Sequence, residues 1–220
     1  MKIDTKKLTV LAMFAAISYA LVYAFSIFRV PIVPAAPFLT YEPKDAIIVI
    51  SGFLFGAPAV IGVSAVVSVI EMFTVSTTLY WGLLMNVIST CAFACTAAAI
   101  YRRKRSLASA VTGLAVGVVF ATGIMLLWNY LVVPIYMTIP RAAVADMLIP
   151  VFLPFNLIKY GLNAGFAVLL YKPLRLALAG ARLLPAPDAR ARKIHPGVIA
   201  VAAFVVITCV LLILAGNGII

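Results

Sequence analysis

Charge is what this sequence has least of. Among its 220 residues, Asp and Glu number 6, His 1 and Cys 3, and the four charged types together make up 10%, against about 25% in ordinary soluble domains. So few charges exclude a soluble enzyme, and 65% hydrophobic residues exclude a disordered chain. Three cysteines do not make a secreted disulfide scaffold. Cys91 and Cys95 share a helical face and Cys209 stands apart; with no His or further Cys nearby, they read as small buried residues and not as metal ligands. His195 lies in a basic stretch and reads as solvated. The sequence also has no GxxxxGK[ST], HExxH, GxSxG or CxxC, so nothing in it signals nucleotide hydrolysis, zinc proteolysis or serine hydrolysis. Any active process would need a separate motor.

What is present is a set of long apolar runs, with a mean hydropathy of +1.19. The formal charge of +11, from 17 Lys and Arg against 6 Asp and Glu, would in isolation suggest nucleic acid. The basic residues instead fall in clusters bounding the apolar runs, which is how a membrane protein marks its cytoplasmic side. Leu8 to Phe28 is uncharged for 21 residues, enough for a helix of about 30 Å, the thickness of the hydrocarbon core. Lys2, Lys6 and Lys7 precede it as in a signal peptide, but no small-residue cleavage site follows, so it is expected to be retained.

Ala46 to Ile70 carries no charge for 25 residues but contains Gly52, Gly56 and Pro58. Read as one helix, it would put the Arg102-Arg103-Lys104-Arg105 cluster, which follows the Tyr80–Tyr101 span, on the side opposite the basic N-terminus. A break near Gly56-Ala57-Pro58 returns both clusters to the cytoplasm and is the expected arrangement. Short or interrupted spans also tend to lie beside substrate sites. Ser106 to Pro140 forms the next span, with Trp128, Tyr130 and Tyr136 near its outer end. Met147 to Tyr171 follows, broken only by Lys159. Lys172, Arg175, Arg182, Arg190, Arg192 and Lys193 then lie inside, and Gly197–Gly216 is expected to form a further span. Arg29, Lys44, Arg141 and Lys159 are left in the outer half, matched by Glu42, Asp45, Glu71 and Asp146. That balance suits a neutral or zwitterionic ligand better than a polyanion.

An ammonium inside a spanning helix costs about 2.5–3.5 kcal/mol on insertion scales, so Lys159 is a functional hypothesis by default. The bland alternative is snorkelling or structural pairing. Asn156 and Asn163 lie three residues before and four after it, so all three polar groups share one face, as expected of a lined cavity. Asn129, between Trp128 and Tyr130, suits a flat heteroaromatic ligand held by stacking and hydrogen bonding, or else an interfacial anchor. The loop Arg29–Lys44, with Pro31, Pro34, Pro37 and Pro43, is too proline-rich for helix and reads as a stiff lid or a plain connector. Ala12, Ala16 and Ala20 make a small-residue stripe suited to close helix contact. Gly113 and Gly117 are read as internal packing.

Several segments carry a family resemblance over roughly Lys6 to Leu174. They are KKLTVLAMFAAISYAL at the start, Tyr41-Glu42-Pro43-Lys44-Asp45 before ISGFLFGAP, Tyr101-Arg102-Arg103-Lys104, Asn129-Tyr130 followed by Pro134-Ile135-Tyr136, and Pro154-Phe155-Asn156-Leu157-Ile158-Lys159. In these the chain resembles the riboflavin-type substrate-binding (S) components of energy-coupling factor transporters, which are bacterial vitamin importers. The resemblance implies an all-α integral membrane protein of the bacterial cell membrane with a six-helix S-component bundle, to which the apolar run Gly197–Gly216 is expected to add a C-terminal transmembrane helix beyond the family's six. It implies a vitamin-binding domain over 1–174, after which the charge and apolar pattern predicts a basic cytoplasmic linker over 175–196 and the added helix over 197–220. It further implies riboflavin as the transported ligand, with FMN left open, and neither a cofactor nor an enzymatic activity. Asn129, Asn156 and Lys159 would carry recognition, joined in the expected ligand set by Tyr41, Asp45, Tyr130 and Asn163. Ala12, Ala16 and Ala20 would meet a membrane-embedded coupling subunit driven by two cytoplasmic ATPases, and the S component would topple to release vitamin inward. Other readings stay open: another vitamin such as thiamine, pantothenate or folate; an intramembrane enzyme using Glu71, Asp45 or Asp146 as acid and base; or a purely structural membrane subunit.

Overall fold

The computed structural model describes residues 5–34, 36–185 and 196–219, and every regular element among them is helical. In chain order they are α1 (Thr5–Phe28), α2 (Lys44–Phe55), α3 (Ala57–Thr74), α4 (Leu79–Thr90), a π-helical turn (Cys91–Cys95), α5 (Thr96–Lys104), α6 (Leu107–Tyr136), α7 (Arg141–Met147), a second π turn (Leu148–Phe152), α8 (Leu153–Gly180) and α9 (Pro196–Gly216). Six helical stretches among the described residues are long and apolar enough to cross a membrane. With no water in the bilayer core, helices that satisfy their own backbone are what this composition can form there.

The expected break is at Gly56. Its backbone (φ 92°) ends α2 with Gly56 N donating to Gly52 O at 2.7 Å, and Pro58 opens α3, where its missing N–H costs nothing. Arg102 Nη1 donates to the freed Phe55 carbonyl at 3.1 Å. A Cβ at Gly56 would collide with that guanidinium. The 12-residue α2 is therefore only about 18 Å long. It contacts α1, α3, α5 and α8, and all residues from Lys44 to Phe53 are buried. It is the axis of the bundle.

Gly113 and Gly117 pack internally, where a Cβ on either would lie 2.7 Å from the Ala97 or Phe93 carbonyl oxygen. The helix at 141–180 is continuous but widens to a π turn at Leu148–Phe152. Pro150 lies within that turn, and a proline, lacking N–H and crowding the preceding turn, is a recognised cause of such a distortion. Helix α8 runs past Tyr171 to Gly180, through Pro173, so the first six residues of the expected linker are helical. Of the rest of that linker, 181–185 turn away from the helix, Pro196 already opens α9, and 186–195 lie outside the described residues.

Candidate functional site

Helices α1 and α6 end, and α4 and α8 begin, at the face opposite the 102–105 basic cluster. There the bundle holds a cavity of about 420 Å³, within the range of small-molecule sites. The loop between α1 and α2 lies over it, contributing Arg29, Pro37, Phe38, Leu39, Thr40 and Glu42. That loop folds back on itself through Ile32 N→Leu39 O at 3.2 Å and Tyr41 N→Val30 O at 2.9 Å. Aromatic walls come from Trp81, Tyr136, Phe155 and Tyr160. Trp81 stacks on Tyr136 with centroids 6.4 Å apart, and Tyr160 stacks on Phe93 at 5.4 Å. A second crevice of about 400 Å³ between α6, α8 and α9 is lined only by apolar residues and glycine, so it offers nothing polar to orient a ligand.

The polar lining centres on a buried charge cluster. Lys44 Nζ donates to both Glu71 carboxylate oxygens at 2.7 Å and lies 3.2 Å from Glu42 Oε2. Asn86 Nδ2 donates to Glu71 Oε2. Lys159 Nζ stands 3.9 Å from Glu42 Oε2 and 5.9 Å from the Phe155 ring centroid. Two carboxylates and two ammonium groups thus neutralise one another. In the loop, burial raises the Glu42 pKa, but Lys44 and then Lys159 outweigh it and hold the carboxyl below its ordinary value. Asn156 Nδ2 donates to Phe152 O at 2.7 Å, and its side chain lines the cavity. Asn129 is 6% exposed, lines the same cavity and has no hydrogen-bond partner among the described residues. Its amide is not one of the fully enclosed polar atoms that lack a partner among the described residues, so it is open to the cavity and marks a place where a ligand group can bond.

A family model for the substrate-specific component of ECF transporters matches residues 6–171, three-quarters of the chain. The chain belongs to that family. It is 31% identical to the riboflavin transporter RibU of Staphylococcus aureus (strain TCH60), over 78% of this chain and 91% of that one. It is 25% identical to the riboflavin transporter RibU of Streptococcus thermophilus, over 80% and 85% respectively. A solved structure, described as showing the structure and mechanism of the S component of a bacterial ECF transporter, superposes with a TM-score of 0.67 at 29% identity. That match covers 80% of this chain and 99% of the solved one. The chain is thus a multi-pass cell-membrane S component that works with an ECF module, and not an enzyme.

Within this S component, Asn129, Asn156 and Lys159 come together on the cavity, although Asn129 is contributed by a different helix. Asn163, one turn deeper, does not line it. Its Oδ1 accepts from Ala46 N at 3.0 Å, and its Nδ2 donates to Glu42 O at 3.2 Å and Lys159 O at 2.9 Å. It fixes the entry into α2. Asp45 is buried behind the cavity, accepting from Thr90 Oγ1 at 2.6 Å. Tyr41 is also buried, its ring edge-on to Phe25 at 5.7 Å. Tyr130 faces outward beneath Arg141, whose guanidinium lies 5.5 Å from its ring centroid. Adjacent residues on a helix point about 100° apart, so turning Asn129 inward carries Trp128 and Tyr130 off the cavity, and the rings lining it come from elsewhere. Ala12, Ala16 and Ala20 are all exposed along one face of α1. The lining residues Glu42, Glu71 and Asn86 are absent from the expected ligand set. Glu71 and Asn86 were each visible as an isolated polar residue beside or inside an apolar run.

Proposed function

We propose that this S component binds riboflavin in the cavity beneath the α1–α2 loop and passes it inward through the ECF module. The observation that carries the reading is the convergence of the unpaired Asn129 amide, the Asn156 amide and the Lys159 ammonium on one aromatic-walled cavity beside the paired Lys44, Glu71 and Glu42 charges. Riboflavin combines a flat ring system, which suits Trp81, Tyr136 and Tyr160, with a neutral ribityl chain, which suits amide and carboxylate partners. The identity to two RibU riboflavin transporters points to the same ligand. Glu71 and Asn86 join the ligand-contacting set in this reading. Asn163, Asp45 and Tyr41 support it from behind, holding α2 and the loop in place. The exposed alanine stripe of α1 is the surface for a membrane-embedded coupling subunit, with two cytoplasmic ATPases supplying the drive. Small side chains let another helix approach closely.

The test is the visible absorption spectrum of the purified protein, followed by riboflavin titration of protein stripped of ligand. A retained flavin, or saturable binding below micromolar concentration, supports the assignment. A colourless protein that ignores riboflavin but binds another vitamin overturns it.

A further inference from the structure

Helix α9 lies beyond the residues 6–171 that the family model matches, yet it is built into the side of the bundle that carries the ligand cavity. It packs on α8 at two glycines one turn apart: a Cβ at Gly165 would lie 2.6 Å from Val206 Cγ2, and one at Gly161 would lie 3.5 Å from Cys209 Sγ. Further along, Val206, Cys209 and Ile213 pack against a buried group formed by Ile32 and Tyr41 of the α1–α2 loop with Phe155 and Leu162 of α8. At its end, Asn217 Nδ2 donates to Ile213 O at 2.8 Å and to Pro31 O at 3.3 Å. Both partners are carbonyls, so only the amide nitrogen can face them and the orientation of the side chain is fixed by chemistry. Pro31 pairs with Thr40 across the loop, and Thr40 lines the cavity. One face of the loop therefore roofs the cavity while the other is gripped by α9.

We propose that α9 is a clamp on this roof and that Asn217 is a positioning residue for ligand retention, acting through the Pro31–Thr40 pair. This inference rests on the cavity being the ligand site. The clamp slows escape of bound ligand by keeping the loop shut, without touching the ligand itself.

The test uses full-length protein in lipid nanodiscs with Asn217→Ala, Asn217→Asp and Asn217→Gln, and with Gly165→Ala, which presses α9 away from α8. Asn217→Asp keeps the shape but puts oxygen against two carbonyls. Two measurements are made: hydrogen exchange of the ligand-free protein over residues 30–41, and the rate at which bound riboflavin dissociates. For the Ala and Asp variants the account expects faster exchange in the loop, unchanged exchange in α3 and α6, and dissociation about two- to tenfold faster, as for the loss of one net hydrogen bond. Gly165→Ala should shift both in the same direction, and Asn217→Gln should restore part of the effect. Parental loop exchange in all variants would overturn the clamp. So would faster exchange with an unchanged dissociation rate. If the parent protein binds no flavin, the ligand assignment fails, and the exchange measurement still decides whether α9 holds the loop.

Discussion

Helices α2 and α9 are opposites. The first has 12 residues, opens on Lys44 and Asp45, and is buried on all sides through Phe53. The second has 21 residues and the highest hydropathy among the candidate spans, and Ala202 is its only buried residue. Hydropathy picks out α9 as the most membrane-like segment, whereas packing makes α2 the centre of the molecule. In lipid, apolar character reports what a helix faces, and lipid demands more of it than a protein interior does. A helix surrounded by other helices can be short and can carry charges, provided they are paired.

The contrast is broken most forcefully at Lys44. Lys44→Met leaves the buried Glu71, and the half-buried Glu42 beside it, without their main cation, and thermal unfolding in detergent should show a loss of about 3–5 kcal/mol. A small effect would mean the cluster is wet and α2 is not a dry core. The connection between α2 and α3 comes next. Gly56→Ala places a Cβ at φ 92° against Arg102, and about 1–3 kcal/mol of destabilisation is expected from the same measurement. Arg102→Ala should relieve part of that loss.

Acid sensitivity sharpens the picture further. The Glu42 pKa is lowered in the folded protein, so its contribution to stability is present above the ordinary value of 4.5 and is lost as the pH falls through the lower folded value. Unfolding followed from pH 7 down to pH 3 should therefore show a shallower acid loss in Glu42→Gln than in the parent. At the far end of the scale, Leu212→Ala on the exposed face of α9 should change stability by no more than about 0.5 kcal/mol. A larger loss there would show that α9 has a partner on its outer side.

Much of this architecture was legible because the bilayer imposes a length on apolar runs and a side on basic clusters. The break at Gly56 followed from charge placement, and Lys159 with Asn156 followed from helical spacing. The end of α8 was not legible. Lys172, Pro173 and Arg175 look like a stop, but the helix continues through the proline to Gly180. The inward face of α6 was only half legible, since the sequence singles out Asn129 but not the rotation that turns Tyr130 away. In the sequence Glu71 reads only as a carboxylate open to an enzymatic alternative. Its partnership with Lys44, 27 positions away, depends on how α2 and α3 pack, and a single sequence does not encode that pairing as a local pattern. Tyr41 and Asp45 belong to the expected ligand set only through the family resemblance, whereas the fold buries Tyr41 on the side of the loop that packs against α9 and Asp45 behind the cavity.

The most direct test of the central claim is a riboflavin titration of ligand-stripped parent protein beside Lys159→Ala and Asn129→Ala, with thermal stability measured on the same samples. The account predicts tight binding by the parent and affinity weakened about 10- to 100-fold in Lys159→Ala, the usual range for removing a charged hydrogen-bond partner. It predicts a smaller loss in Asn129→Ala and little change in the stability of either variant. Equal affinity in all three proteins, or a loss of folding without a loss of affinity, would contradict it.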